Sequence, residues 1–64
     1  MSEQFRVHIR FWRDEIDVSL YGNNTGVQLA EFRGDDRKEK AREYAADVAI
    51  TIGCKVTEYP LQHD

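Results

Sequence analysis

The chain carries one cysteine, one proline and two histidines, and its basic residues are outnumbered by acidic ones. One cysteine excludes an internal disulfide, so no covalent staple can replace a core. No apolar run approaches the roughly 18 residues of a membrane helix, and no charged-then-apolar leader opens the sequence. These absences predict an intracellular chain. Nine basic against twelve acidic residues give a net charge of -3, which argues against a generic, strongly basic nucleic-acid binder. His8 stands among arginines, His63 lies near the end, and neither has a serine or cysteine partner at a catalytic spacing. No cluster has metal-ligand spacing. Gly22 and Gly26 flank a turn and do not form a phosphate loop between a strand and a helix. The expectation is therefore no enzyme, no catalytic residue, no metal and no cofactor. With 64 residues there is no room for a second core, because halves below about 40 residues rarely fold unaided. One domain, residues 1–64, is expected.

What is present is a strong period-2 signal. Phe5, Val7, Ile9 and Phe11 alternate with Arg6, His8, Arg10 and Trp12; Ile16, Val18 and Leu20 then alternate with Asp17, Ser19 and Tyr21. Folding the chain about Arg13-Asp14, or about a four-residue loop from Trp12 to Glu15, sets Phe11 opposite Ile16, Ile9 opposite Val18 and Val7 opposite Leu20. A slip of one residue would set apolar side chains against polar ones, so the pattern itself specifies the register. Gly22-Asn23-Asn24-Thr25-Gly26 is the strongest turn signal. After it Val27 and Leu29 head a third antiparallel strand, and registers in which paired numbers sum to 47 or 49 both put these two on the core side.

A helix follows. Asp36 with Glu39 fits a capping box, Asp35 being the alternative cap, and Ala41, Tyr44, Ala45, Val48, Ala49 and Ile52 form one apolar stripe of helical period. Gly53 suits the residue after a helix end. Cys54, Val56 and Tyr59 read as a short fourth strand stopped by Pro60, with Cys54 tucked into the core. Met1 to Gln4 and Leu61 to Asp64 read as frayed ends. The fold class is α+β: three antiparallel strands plus a short fourth one, with one helix on one face, in the order β-β-β-α-β. The fourth strand is placed beside the first, giving spatial order 3-2-1-4; beside the third is the alternative.

One helix covers only one face of such a sheet. The other face is expected to show Arg6, His8, Arg10, Trp12, Asp17, Ser19, Tyr21, Gln28, Ala30 and Phe32, with Lys55, Thr57 and Tyr59. Arg6, Arg10, Trp12, Tyr21 and Phe32 are its candidate contact residues, since Trp, Tyr and Arg are enriched at binding hot spots. Arg10 opposite Asp17 is a cross-strand ion pair, and Arg6 lies beside Tyr21. A second candidate surface is acidic: Asp14, Glu15 and Asp17 near the first hairpin, Asp35 and Asp36 at the helix start, and Glu39, Glu43 and Asp47 along the helix.

In its small size, acidic charge, poverty in cysteine and β-β-β-α-β order ending at Tyr59, the chain resembles small phage- or mobile-element-encoded inhibitors, above all anti-CRISPR proteins. The resemblance covers the whole chain in format and rests on no residue motif. It implies a non-enzymatic inhibitor in the cytoplasm of a bacterial host. Such a protein, a monomer or weak dimer, would bind a CRISPR surveillance complex and block its DNA binding. The acidic residues would then imitate DNA, or the aromatic sheet face would make the contact. The alternative is a small nucleic-acid-binding or adaptor module that uses the aromatic and arginine-bearing face as a stacking platform.

Overall fold

A computed structural model of the chain describes residues 4–59. Its elements are β1 (Phe5–Phe11), β2 (Ile16–Gly22), β3 (Thr25–Phe32), α1 (Arg37–Ile52) and β4 (Lys55–Tyr59). They form one four-stranded sheet in the order β3-β2-β1-β4, β4 running parallel to β1 and the other pairs antiparallel. The α+β reading, the chain order and the place of β4 beside β1 all hold. The stop at Pro60, the fraying of Met1–Glu3 and of Leu61–Asp64, and His63 lie outside the described residues.

The register of β1 on β2 follows the apolar pairs: Val7 faces Leu20, Ile9 faces Val18 and Phe11 faces Ile16. Trp12 N–H donates to the Glu15 carbonyl at 2.8 Å and closes the loop through Arg13 and Asp14. The second hairpin turns on Asn23 and Asn24, both with positive φ (52° and 64°). That is the backbone a two-residue type I′ turn demands, and asparagine tolerates it well.

Next to the hairpin β3 keeps the expected register in which paired numbers sum to 47, and further along it leaves both expected registers. Ser19 pairs with Gln28 and Leu20 with Val27, but Val18 pairs with Ala30 and Ile16 with Phe32, so Leu29 is an extra residue in a β-bulge. The bulge reverses which face each later residue of β3 points to. Ala30 and Phe32, expected on the uncovered face, therefore lie on the helix side.

The core fills the space between that side of the sheet and α1. Val7, Ile9, Ile16 and Val18 are buried against Ala41, Ala45 and Ala49, and Phe11, Leu20, Leu29, Phe32, Val48 and Cys54 pack around them. Alanines spaced four apart let the helix backbone approach the sheet, while the aliphatic bulk comes from the strands. Tyr44 stays at the rim, its ring 5.7 Å from that of Phe32. Val27 is on the expected side but more than half exposed, because it stands near the hairpin end. At the helix C-terminus Gly53 adopts φ 84°, ψ 42°, and the N–H groups of Gly53 and Cys54 both donate to the Ala49 carbonyl (2.7 and 3.0 Å). At the other end Asp36 is the N-cap residue, but its side chain makes no cap hydrogen bond; the carboxylate meets Lys40 Nζ at 3.2 Å. The expected capping box is absent.

Candidate site on the uncovered sheet face

Strand pairing alone places the side chains of the face away from the helix. Across β4, β1, β2 and β3 the rows read Lys55, Arg6, Tyr21, Gly26; then Thr57, His8, Ser19, Gln28; then Tyr59, Arg10, Asp17, Glu31. Trp12 follows at the end of β1. In a chain of net charge -3, this face holds Arg6, Arg10 and Lys55 against Asp17 and Glu31.

Asp17 is the hub of one half of the face. Its carboxylate accepts Arg10 Nε–H at 3.0 Å, Trp12 Nε1–H at 2.6 Å and the Ser19 hydroxyl at 3.4 Å. Only 4% of its surface remains exposed, although no helix covers it. The cover is local: the indole turns back over the strand, and the Arg10 guanidinium carbon lies 5.7 Å from the centre of the Trp12 ring. A buried carboxylate is costly unless its oxygens are satisfied, and here both are. The network fixes Arg10 and Trp12 in place and raises the Arg10 pKa, chiefly through its hydrogen bond to Asp17.

The other half is aromatic. The imidazole of His8 stacks on the Tyr21 ring (centroids 4.4 Å apart, planes at 30°) and meets Tyr59 edge-on at 4.9 Å. Tyr59, His8 and Tyr21 thus make a diagonal across β4, β1 and β2. The row ends at β3, where the Tyr21 ring occupies the space that a side chain at Gly26 would need. Glycine is what lets the ring lie there. His8 is held below its ordinary pKa by partial burial, then by the charges of Arg10 and Arg6. It is therefore mostly neutral at pH 7 and adds a flat ring rather than a charge.

Of the sheet-face candidates, Arg6, Arg10, Trp12 and Tyr21 come together here. Phe32 does not, because the bulge turns it towards Tyr44 and the core. His8, Lys55 and Tyr59 belong with the first four. The parallel register of β4 on β1 brings Lys55 and Tyr59 beside Arg6 and Arg10. Their alternation with Val56 was the available signal.

The acidic candidates are dispersed. Asp17 is buried on the sheet face and tied internally, so it is not displayed to a partner. Glu15 pairs with Arg33 at 2.8 Å and Asp36 with Lys40. Glu39, Glu43 and Asp47 are exposed on α1, on the opposite side of the sheet from Asp17. Asp35 lines an open groove of about 650 Å³ between the first hairpin and the start of α1, together with Arg13, Arg37, Lys38 and Arg42. This groove is mixed in charge: Arg42 is held in a two-pronged pair by Glu58 (2.9 Å each), and Arg37 donates to the Gly34 carbonyl at 2.7 Å. With Asp14 exposed in the loop between β1 and β2, the eight carboxylates form no single surface.

Among the described residues no three His, Cys, Asp or Glu side chains gather to hold a metal, and no helix is long and apolar enough to cross a membrane. No family model, no curated protein and no solved structure matches the chain. The site has to be interpreted from its own chemistry.

Proposed function

We propose that this protein is a non-catalytic binding module that engages its partner through the uncovered face of the sheet. The observation that carries the reading is the ordering of that face. It holds Arg10 and Trp12 through Asp17, and Tyr21, His8 and Tyr59 through mutual ring contacts, before any partner arrives. Side chains already fixed in one geometry lose little conformational entropy on binding. Arginine, tryptophan and tyrosine are also the residues in which interface energy concentrates.

Trp12 is the only tryptophan and belongs to this face, so its fluorescence reports on it directly. The test is to titrate the isotope-labelled chain with a single-stranded oligonucleotide, a duplex and a CRISPR surveillance complex, following Trp12 emission and backbone amide shifts. At least one probe is expected to perturb Arg6, His8, Tyr21, Lys55 and Tyr59 together. Binding that perturbs only α1 or the groove beside it would overturn the reading.

A second reading keeps the inhibitor that the resemblance implies but moves its contact to the helix. It is favoured by Glu39, Glu43 and Asp47, which are exposed, one turn apart, and make no ion pair among the described residues. Glu39→Lys with Glu43→Lys would then abolish inhibition of the surveillance complex. Full inhibition by this double variant would remove acidic mimicry along α1.

A further inference from the structure

Resting on the sheet face as the binding surface, we propose that its ligand is a short single strand of nucleic acid, with bases on the Tyr59–His8–Tyr21 diagonal and phosphates at Arg6, Lys55 and Arg10. Rings and cations alternate in a way that suits this ligand. The diagonal has Arg6 and Lys55 on one side and Arg10 on the other, so a backbone following the rings meets a cation on either flank. Tyr59 keeps 37% of its surface exposed, and Arg6 and Lys55 are exposed as well. His8 is packed between its two neighbours, so the rings left for bases are Tyr59 and Tyr21; each offers a π-face that any base can use, and contacts with about one or two bases and little sequence preference are expected. Arg10 spends its Nε–H on Asp17, and the hydrogen bonds found for the described residues leave its terminal nitrogens for a phosphate.

The same geometry disfavours a duplex. Arg10 and Trp12 are tethered by Asp17, and His8 is packed between Tyr21 and Tyr59, so these side chains lie across the sheet rather than reach from it. A duplex reader needs side chains that extend to base edges in a groove.

The experiment uses the full chain and a fluorescein-labelled 12-nucleotide oligo-dT and oligo-U, read by anisotropy at about 50 and 200 mM salt. Micromolar binding is expected, with a log-log salt slope near -2, about 0.7 for each of three phosphate contacts. Arg6→Gln or Lys55→Gln should each reduce that slope by about 0.7. Tyr59→Ala should weaken binding at least about fivefold while leaving the slope unchanged, because stacking releases no counterions. The melting transition of each variant confirms that it is folded. A duplex that competes as well as the single strand overturns the proposal, as does poly-glutamate competing equally. So does oligonucleotide binding indifferent to all three substitutions, or no saturable binding at 50 mM salt. In that last case a shift of Trp12 and Tyr59 with another probe would leave the face a binding surface and remove only the nucleic acid.

Discussion

The two faces of this sheet are built from alternate residues of the same strands, yet they are held together by different physics. On the helix side, Val7, Ile9, Ile16 and Val18 meet three alanines, and the attraction is non-directional burial of apolar area. On the open side, Asp17, Arg10, Trp12 and Ser19 are bound by directed hydrogen bonds, and His8, Tyr21 and Tyr59 by ring contacts. The first set decides whether the chain folds. The second decides what shape and charge the folded chain presents. A strand position therefore belongs to the core or to the open face according to its parity, which the bulge in β3 reverses.

The largest effect should come from breaking the covered face. Val18→Asp puts an unpaired charge in a core whose total stabilisation, for a chain this small, is about 3–5 kcal/mol. It should abolish the cooperative melt. Phe32 sharpens the comparison, since the bulge assigns it to the covered side. Phe32→Ala should cost roughly 1–2 kcal/mol, below the 3–5 of a fully buried ring because Phe32 is only half-buried. Tyr59→Ala, on the open side, should cost markedly less in the same denaturation series. Equal costs would mean that Phe32 does not pack on the core.

Asp17→Ala tests the hub. It removes the acceptor of two charge-assisted or aromatic N–H donors and should cost about 1–2 kcal/mol, moderated because Arg10 and Trp12 can reach water. Trp12 emission should shift to the red as the indole is released. An unchanged emission maximum would show that the carboxylate does not hold the ring.

A smaller effect is expected from pH. His8 titrates below its ordinary value of 6.5 in the folded chain, so the unfolded chain binds more protons just under that pH. Stability should then fall as pH drops from above 6.5 towards the folded pKa, and His8→Gln should flatten that part of the profile. Glu58, held below its ordinary value by Arg42, contributes in the same direction but only in the acid range below 4.5. A His8→Gln profile parallel to that of the unmodified chain between pH 7 and 5 would contradict the partial burial of His8 beside Arg10 and Arg6.

Much of this was legible in the sequence. The paired apolar residues specify the β1–β2 register, and the alanine stripe followed by Gly53 specifies the helix and its end. The right-handed crossover through α1 favours β4 beside β1 over the alternative beside β3. The bulge was harder, although it leaves a mark: the apolar residues of β3 change parity between Leu29 and Ala30. That change is readable as a bulge only once the opposite strand is known, because it also fits a strand that simply ends. The fate of Asp17 was not legible. Its pairing with Arg10 follows from register, but its burial depends on the Trp12 ring turning back over the strand. Composition cannot reveal that geometry. The Tyr59–His8–Tyr21 diagonal likewise needs the parallel register of β4 and the open space above Gly26.

The central claim is that the open face binds while the covered face folds. The most direct measurement pairs a melt with a binding titration for one double variant, Arg6→Glu with Lys55→Glu. Neither side chain is in the core, so the melting temperature should stay close to that of the unmodified chain, while charge reversal should eliminate binding to a 12-nucleotide single strand. A double variant that melts normally and still binds the strand with unchanged affinity would contradict the account.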